Sequence, residues 1–339
     1  MKQKKEKNMR FCHVGSIYSL LVYIAYSTDD QLKRTFYLFD RMIPDEFASK
    51  FKNYFHFHKH SWLPSKWYFY WLDLMFQKVF FCPRIKKDAE LFANDHLWSS
   101  SAIIGRHSYT LLEDGARICS MYWFGKDRTY MESNRKTKSY KIRRFLFGPV
   151  EVHPHGDNPC CTNLLLTTDD CPDYVRTKKI YRLYWNGLWD SFSEWKKKMI
   201  MDVYDFSIDD MEYVKSGKII LFTQPLYPDF ISEEEHEKIY RAIIKKYPEK
   251  DLIIKPHPRD TFSYEKISSN LKVFKKNFPS QLFEMLGIKF DVAVTAFSSA
   301  VMNFEYPLKI DWYGTECSET WYKKFGHIEP PKGACLKTL

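Results

Sequence analysis

The chain has 339 residues, which is enough for two domains of ordinary size. Hydrophobic residues make up 45% of it and aromatic residues 18%, which excludes a globally disordered protein. The formal net charge of +10 favours an anionic membrane or an anionic small substrate, and the absence of zinc-finger spacings and RNA-recognition motifs argues against nucleic acid.

The eight cysteines are spread thinly along the chain and include no C-x-x-C. Cys160 and Cys161 are adjacent, which is a poor start for a disulfide framework. We therefore predict reduced thiols and a cytosolic compartment.

A lysine-rich segment, residues 1–10, precedes an apolar run, and a signal peptide is one interpretation of this pattern. His13, Gly15 and Ser16 interrupt the run, however. We predict a strand over residues 11–14, a tight turn, and a helix from about Ser19, as at the start of a nucleotide-binding α/β domain. The basic tail is expected to contact anionic lipid.

A second strand is predicted over residues 34–40, followed by an aromatic-rich, helical or irregular stretch to residue 92. The next apolar strand, SYTLLEDG, ends abruptly in Glu113-Asp114-Gly115. Carboxylates at the carboxyl end of a strand lie where open α/β sheets place their chemistry. The alternative is an ordinary acidic turn.

Two groups of histidines are candidate metal ligands: the alternating histidines of residues 56–60, and His153 and His155 near Asp157. Neither group lies at a predicted strand end, so solvated loops are the better prediction. The basic stretch 126–144 is predicted to be a surface segment that faces either a lipid-borne acceptor or solvent.

From residue 218 onward, strands and helices alternate regularly, with Ser232 and Glu235 forming a predicted capping box. A helix over residues 185–204 is expected to connect the two halves. The pattern predicts an α/β protein with two Rossmann-like domains facing across a cleft. We place the acceptor-side domain at 1–208 and the nucleotide-sugar domain at 209–339.

Three stretches of the second half suit one ligand. IIKPHPRD brings Lys255, His257, Pro258 and Arg259 to a rigid turn behind a buried strand. TAFSSA places Ser298 and Ser299 before a predicted helix, which favours a phosphate, and PSQLFEML supplies Glu284 for a ribose. Each stretch also has an ordinary explanation when it is considered alone: a histidine in a turn, serines that cap a helix, and a solvent-exposed glutamate.

The ordered set Glu113-Asp114-Gly115, His257-Pro258 and Ser298-Ser299 resembles the bacterial sialyltransferases of the two-Rossmann-domain GT-B fold, and the lipooligosaccharide sialyltransferase group in particular. The segment NDHLW, residues 94–98, is also similar to that group. The resemblance runs over most of the chain.

This resemblance implies roles for the candidate residues. His257 would contact the phosphate of CMP-sialic acid, as general acid or electrostatic stabiliser, and Ser298 and Ser299 would hold the same phosphate. Glu284 would bind the ribose and Lys255 the cytidine side. Asp114, beside Glu113, would be the general base, with Asp229 as its rival.

The resemblance also implies an inverting transfer to a terminal sugar, galactose on a lipooligosaccharide or an O-antigen or capsule precursor. From the basic charge we expect a cytoplasmic enzyme with peripheral contact at the inner face of the cytoplasmic membrane. A homodimer is compatible with the resemblance. Because no Asp-x-Asp occurs in the sequence, we predict that no metal or other cofactor is required.

Three alternatives stay open at this point. Transferases that use CDP-glycerol or another nucleotide sugar resemble the second half almost as well, although Glu113-Asp114-Gly115 favours sialyl transfer. A metal-dependent phosphoesterase would use the histidines of the first half. A non-catalytic membrane assembly protein would leave the three motifs unexplained.

Overall fold

The computed structural model describes residues 9–57, 66–114, 132–150, 155–167, 171, 175–302 and 304–339. The chain divides into two compact units, Met1–Tyr184 with Ser193–Lys196, and Trp185–Phe192 with Lys197–Leu339. Each unit contains one sheet whose paired strands are all parallel, with helices in the connections.

The sheet of the first unit has seven strands in the order β3-β2-β1-β4-β5-β6-β7. The central strands β1, β2, β4, β5 and β6 are mostly buried on both faces, as expected for a parallel sheet covered by helices, whereas the edge strands β3 and β7 are more exposed. The strands are β1 Arg10–Val14, β2 Thr35–Phe39, β3 Tyr54–His56, β4 Glu90–Ala93, β5 Tyr109–Leu112, β6 Cys161–Leu166 and β7 Lys179–Arg182.

The first helix begins two residues before its predicted start, because the Ser16 side chain accepts a hydrogen bond from the backbone N–H of Ser19 and caps it. The last helix of this unit exposes three large apolar side chains, Ile142, Phe145 and Leu146. The helices are α1 Ile17–Tyr26, α2 Asp29–Lys33, α3 Asp45–Ala48, α4 Lys66–Phe76 with a π-helical turn Gln77–Phe81 after it, α5 Ser101–Ile104 and α6 Lys138–Phe147.

The sheet of the second unit has six strands in the order β10-β9-β8-β11-β12-β13. They are β8 Ile219–Phe222, β9 Leu252–Lys255, β10 Lys272–Val273, β11 Val292–Thr295, β12 Lys309–Trp312 and β13 Cys335–Leu336. The helices are α7 Glu194–Tyr204, α8 Ile208–Lys215, α9 Glu233–Ile244, α10 Gln281–Met285 and α11 Glu319–Phe325.

Three local predictions need correction. The connecting helix does not run from residue 185, because Phe192 is extended and only a 3-10 turn, Trp189–Ser191, precedes α7. The helix after Ser298 is a single 3-10 turn, Ser299–Met302. The capping box is half formed, since Ser232 accepts from the Glu235 backbone N–H while the Glu235 carboxylate accepts from Ser318.

The seven cysteines within the described residues are all free thiols. Among those residues, no helix is long and apolar enough to cross a membrane.

Candidate functional site

In the first unit, four neighbouring strands end at one edge of the sheet, and a polar residue follows each of them. The carboxyl ends of β1, β4, β5 and β6 meet at this edge because the strands are parallel and adjacent. Ser16 follows β1, the Asn94-Asp95-His96 segment follows β4, Glu113-Asp114 follows β5, and Thr167 follows β6. The motif residue Gly115 lies outside the described residues.

Asp114 is held in a defined orientation and is partly open to solvent. One carboxylate oxygen accepts a hydrogen bond from the Ser16 hydroxyl, and the other lies 3.1 Å from Nε2 of His96. The side chain keeps 24% of its surface exposed. An oriented, accessible carboxylate beside an imidazole is a suitable arrangement for accepting a proton.

Glu113 has no exposed surface, in contrast to its neighbour. Its Oε2 accepts hydrogen bonds from the backbone N–H of Thr167 at 2.6 Å and from the Thr167 hydroxyl. Burial raises the pKa of Glu113 to about 7. The two hydrogen bonds with Thr167 connect the end of β5 to the end of β6.

Asn94 joins three of these strand ends. Its Oδ1 accepts from the Gly15 backbone N–H at 2.6 Å and from the Ser19 hydroxyl at 2.8 Å, and its Nδ2 donates to the Leu112 carbonyl. A Cβ at Gly15 would lie 2.4 Å from Cδ1 of Leu97 and 3.0 Å from Oδ1 of Asn94, so a larger residue would require the Leu97 side chain to shift. The turn after β1 is thereby locked against β4.

A cluster of ligand-type side chains lies beside Asp114. Asp95, His96 and His155 are buried, and one potential ligand atom of each lies within 4.8 Å of those of the other two. The Asp95 carboxylate also accepts from the Tyr109 hydroxyl and the Gly156 backbone N–H, each at 2.7 Å. The sequence analysis named His155 as a potential ligand but missed Asp95 as its neighbour.

The other predicted metal residues are placed differently or are not described. His56 is buried and contacts the Asp40 carbonyl and the Asp45 carboxylate, which is a structural role. The remaining histidines of 56–60, and His153, lie outside the described residues.

In the second unit, four of the predicted donor-binding residues line a cavity of about 90 Å³. Lys255, His257, Pro258 and Ser298 line it, together with Thr223 and Ser280, which the sequence analysis missed. Since one water occupies about 30 Å³, the volume suits a phosphate group rather than a whole nucleotide.

The tautomer of His257 follows from its contacts. Its Nδ1 accepts a hydrogen bond from the Arg259 backbone N–H at 3.1 Å, so the proton of the neutral ring is on Nε2. Burial, aided by the charges of Arg259 and Lys255, lowers the pKa of His257 to about 4. At neutral pH the ring is an uncharged N–H donor.

A buried polar network supports the histidine turn. The Thr223 hydroxyl accepts from the His257 backbone N–H at 3.1 Å and donates to the Asp260 carboxylate. Asp260 also accepts from the Tyr264 hydroxyl at 2.8 Å, and its backbone N–H donates to the His257 carbonyl. This network, with the two prolines, fixes the turn that follows β9.

Lys255 is the buried cation of the cavity. Its ammonium donates to the Lys276 carbonyl at 2.8 Å and lies 5.4 Å from the centre of the Phe278 ring. Burial lowers the pKa of Lys255 to about 8. The ammonium is therefore charged at neutral pH in a site that disfavours its charge, and an anion there would stabilise it.

Of the other predicted residues, Ser298 lines the cavity and the rest do not. Ser298 accepts from the Ala300 backbone N–H at 3.3 Å, so its hydroxyl hydrogen is available to a ligand oxygen. Glu284 is buried and accepts from the Glu305 backbone N–H at 2.8 Å. Ser299, Arg259 and Asp229 are exposed and are not among the residues that line the cavity.

A family model matches this sequence over residues 27–315: glycosyltransferase family 52. The chain belongs to that family. The resemblance to the bacterial sialyltransferase family, and with it the prediction of a glycosyltransferase enzyme, is therefore confirmed. A relative from Haemophilus influenzae, described as an uncharacterized protein, is 32% identical over 242 residues, covering 70% of this chain and 72% of its own length.

Solved structures support the predicted fold. An alpha/beta-galactoside alpha-2,3-sialyltransferase from Photobacterium phosphoreum has a TM-score of 0.57 at 13% identity, covering 98% of this chain and 99% of that one. A 2,6-sialyltransferase from Photobacterium sp. JT-ISH-224, solved with CMP and lactose, has a TM-score of 0.54 at 13% identity, covering 93% and 74%. The two parallel sheets and these similarities confirm the GT-B fold.

Proposed function

We propose that this family 52 enzyme transfers sialic acid from CMP-sialic acid to a hydroxyl of a terminal sugar, in one inverting displacement. The observation that carries the proposal is the small cavity of the second unit, where a neutral His257 N–H donor, a buried Lys255 ammonium and the Ser298 hydroxyl converge. This donor set suits the phosphate of a nucleotide monophosphate.

His257 acts on the leaving group as a hydrogen-bond donor. Because its pKa is about 4, the ring is neutral before the donor binds, and Nε2–H can stabilise charge that develops on the CMP phosphate. Lys255 adds positive charge at the same corner, and Ser298 donates its hydroxyl hydrogen. Such stabilisation is typically worth about 10² to 10³ in rate.

Asp114 acts as the general base toward the acceptor hydroxyl. The contacts with Ser16 and His96 support this role, because they orient a carboxylate that keeps part of its surface open. Asp229, the rival base, is exposed on the turn before α9. Glu284 accepts hydrogen bonds from the ribose in this proposal, since the Glu305 backbone N–H occupies only one of its carboxylate oxygens.

Galactose at the end of a lipooligosaccharide, O-antigen or capsule glycan is the acceptor we propose. The Photobacterium sp. 2,6-sialyltransferase was solved with lactose, a galactoside, and with CMP. A relative with that fold and those ligands supports the proposal, whereas CDP-glycerol and other nucleotide sugars are the donors of the competing proposal.

The test is a calorimetric titration of the full chain with CMP and with CMP-sialic acid, in the presence of EDTA. We expect binding that His257→Ala and Ser298→Ala each weaken by about tenfold or more. Binding of CDP-glycerol or a uridine nucleotide, without binding of CMP, would contradict the substrate assignment while leaving the fold intact.

Metal independence is tested in the same protein by measuring sialyl transfer with and without EDTA. We expect equal rates, since the proposed steps use only protein donors and one carboxylate. A loss of transfer that added divalent metal restores would contradict this, and Asp95, His96 and His155 are then the described side chains to substitute.

A further inference from the structure

Two helical segments of the first unit expose large apolar side chains to solvent. We name the surface formed by these residues the aromatic–basic face: Met75 of α4, Val79 and Phe80 of the π-helical turn, and Ile142, Phe145 and Leu146 of α6. Their exposed fractions range from 41% at Phe80 to 87% at Phe145. Exposed apolar residues that occur singly are ordinary, but a group of this size marks an interaction site.

The pattern on α6 is the reverse of that on a water-facing helix. Tyr140 and Arg143 point inward and are buried, with the Arg143 guanidinium 4.8 Å from the Trp98 ring centre. Ile142, Phe145 and Leu146 stand at positions i, i+3 and i+4, so they form one apolar stripe on the outer side.

The two segments form one continuous surface. The Lys78 ammonium donates to the Leu146 carbonyl at 2.5 Å, and the rings of Trp71 and Phe147 lie 5.5 Å apart. These contacts hold the end of α6 against α4 and its π-helical turn. The apolar side chains of both segments therefore lie on neighbouring parts of the same face.

Positive charge surrounds this apolar surface. Residues 135–144 include six Lys or Arg and no Asp or Glu. Lys138, Lys141 and Arg144 are exposed beside the apolar stripe, and Arg84 follows the π-helical turn. Basic groups around an apolar centre complement a bilayer whose headgroups are anionic and whose interior is hydrocarbon.

An apolar cavity of about 550 Å³ opens next to this face. Six phenylalanines line it, Phe80 of the aromatic–basic face among them, together with Met9 and Arg84. Met9 follows a sequence segment, residues 2–7, that contains four lysines. A hydrocarbon chain fits this lining, and the arginine suits a headgroup phosphate.

We propose that the aromatic–basic face binds an anionic phospholipid bilayer, with Ile142 and Phe145 inserted among the acyl chains and the neighbouring basic side chains paired with headgroup phosphates. The inference goes beyond the proposed function and does not depend on the identity of the donor or acceptor. It brings the first unit to the surface where lipid-linked glycans are found.

The test is flotation of the full chain with vesicles of phosphatidylethanolamine and phosphatidylglycerol, compared with phosphatidylcholine vesicles. We expect binding to the anionic vesicles that decreases as salt is raised, because the headgroup pairs are screened. The variant Ile142→Ser/Phe145→Ser should bind at least about tenfold more weakly, since burying each of these side chains is worth a factor of that order.

Ile208→Ser is the matched control, because Ile208 is 69% exposed but lies on α8 of the second unit. It should bind vesicles as the unchanged chain does, and circular dichroism should show that both variants are folded. Absence of vesicle binding, or equal binding by Ile142→Ser/Phe145→Ser, would overturn the proposal. Self-association that is lost only in Ile142→Ser/Phe145→Ser would assign the face to a second copy and also overturn it.

Discussion

In both units the candidate site residues follow the carboxyl ends of parallel strands, but their chemical types differ. In the first unit, the residues after the parallel strands include two carboxylates, Glu113 and Asp114. In the second, the residues at the end of β9 are two nitrogen bases, Lys255 and His257. Under the proposed function, residues at strand ends serve proton abstraction in the first unit and phosphate binding in the second.

Burial disfavours the charged form of candidate residues in both units, but it shifts the pKa values of acids and bases in opposite directions. It raises the pKa of the Glu113 carboxyl, and it lowers the pKa values of Lys255 and His257. Asp114 differs from Glu113 in that it is partly exposed and accepts a hydrogen bond from the Ser16 hydroxyl. Burial therefore favours the neutral form at Glu113, Lys255 and His257, and a bound anion would offset this effect at the last two.

The largest expected effect concerns the base. Asp114→Asn should reduce sialyl transfer by about 10² to 10⁴, because the amide cannot accept the acceptor proton. Binding of CMP should be unchanged, since Asp114 lies in the other unit. Asp229→Asn is the matched control and should change the rate less than about twofold. The opposite ranking of the two variants in a steady-state transfer assay would identify Asp229 as the base.

The pH dependence of the free energy of unfolding tests the burial of the Glu113 carboxyl in the first unit. The pKa of Glu113 is raised from 4.5 to about 7, so the folded protein binds more protons than the unfolded chain between these values. Its contribution is therefore fully present below pH 4.5 and is lost as the pH rises through 7. The difference of 2.5 units, 7 minus 4.5, corresponds to about 3 kcal/mol.

Glu113→Gln should remove this pH dependence. Urea unfolding at pH 5 and pH 8 should show a smaller fall in the free energy of unfolding for the variant than for the unchanged chain. Glu212→Gln, at an exposed position of α8, should leave the fall as it is. Equal pH dependence in Glu113→Gln and the unchanged chain would mean that Glu113 is not protonated by folding.

Substitution of Thr223 tests whether its hydroxyl positions His257 in the second unit. Thr223→Val removes the acceptor of the His257 backbone N–H and one donor to the buried Asp260, so the free energy of unfolding should fall by about 1–3 kcal/mol. The maximal transfer rate should fall more than the affinity for CMP, because the ring is misplaced. Thr223→Ser should restore both, and failure of the serine to do so would leave the hydroxyl without a positioning role.

The smallest expected effect is the pH dependence of donor binding. The pKa of Lys255 in the ligand-free protein is about 8, so the ammonium is mostly charged at pH 7 and mostly neutral at pH 9. Affinity for CMP should fall by about tenfold over this range. Lys255→Met should bind more weakly at pH 7 and lose the dependence, whereas Lys238→Met, on the exposed side of α9, should retain it. A flat profile for the unchanged chain would contradict the role of Lys255.

Much of the fold could be predicted because the strands are short apolar runs with clear turn residues after them. The predicted strands before Gly15, Glu113 and Pro256 are all present, and the Gly287 stop after α10 has the positive φ of 70° that favours glycine. The prediction of a helix after Ser298 was wrong, since the chain forms only a 3-10 turn, Ser299–Met302, there. Pro307 disfavours a helical conformation only at Tyr306, so the local sequence does not show how soon the turn ends.

The supporting residues of both edges could not be predicted. Ser16 and His96 lie 98 and 18 residues before Asp114, and Thr223 lies 34 residues before His257. Nothing in the local pattern links such residues, because their contact depends on which strands are neighbours in the sheet. NDHLW was singled out by resemblance, but the resemblance did not connect His96 with Asp114.

The sequence by itself determined the alternation of strands and helices, the positions of the strand ends, and the chemical types of residue placed there, since these follow from local hydrophobic pattern and turn chemistry. Only the tertiary structure decided that Glu113 is buried while Asp114 is partly open, which nitrogen of His257 carries the proton, and which apolar side chains of α6 face solvent. Burial and hydrogen-bond partners are set by distant segments that meet when the sheets form, and they decide which of two neighbouring carboxyl groups is accessible.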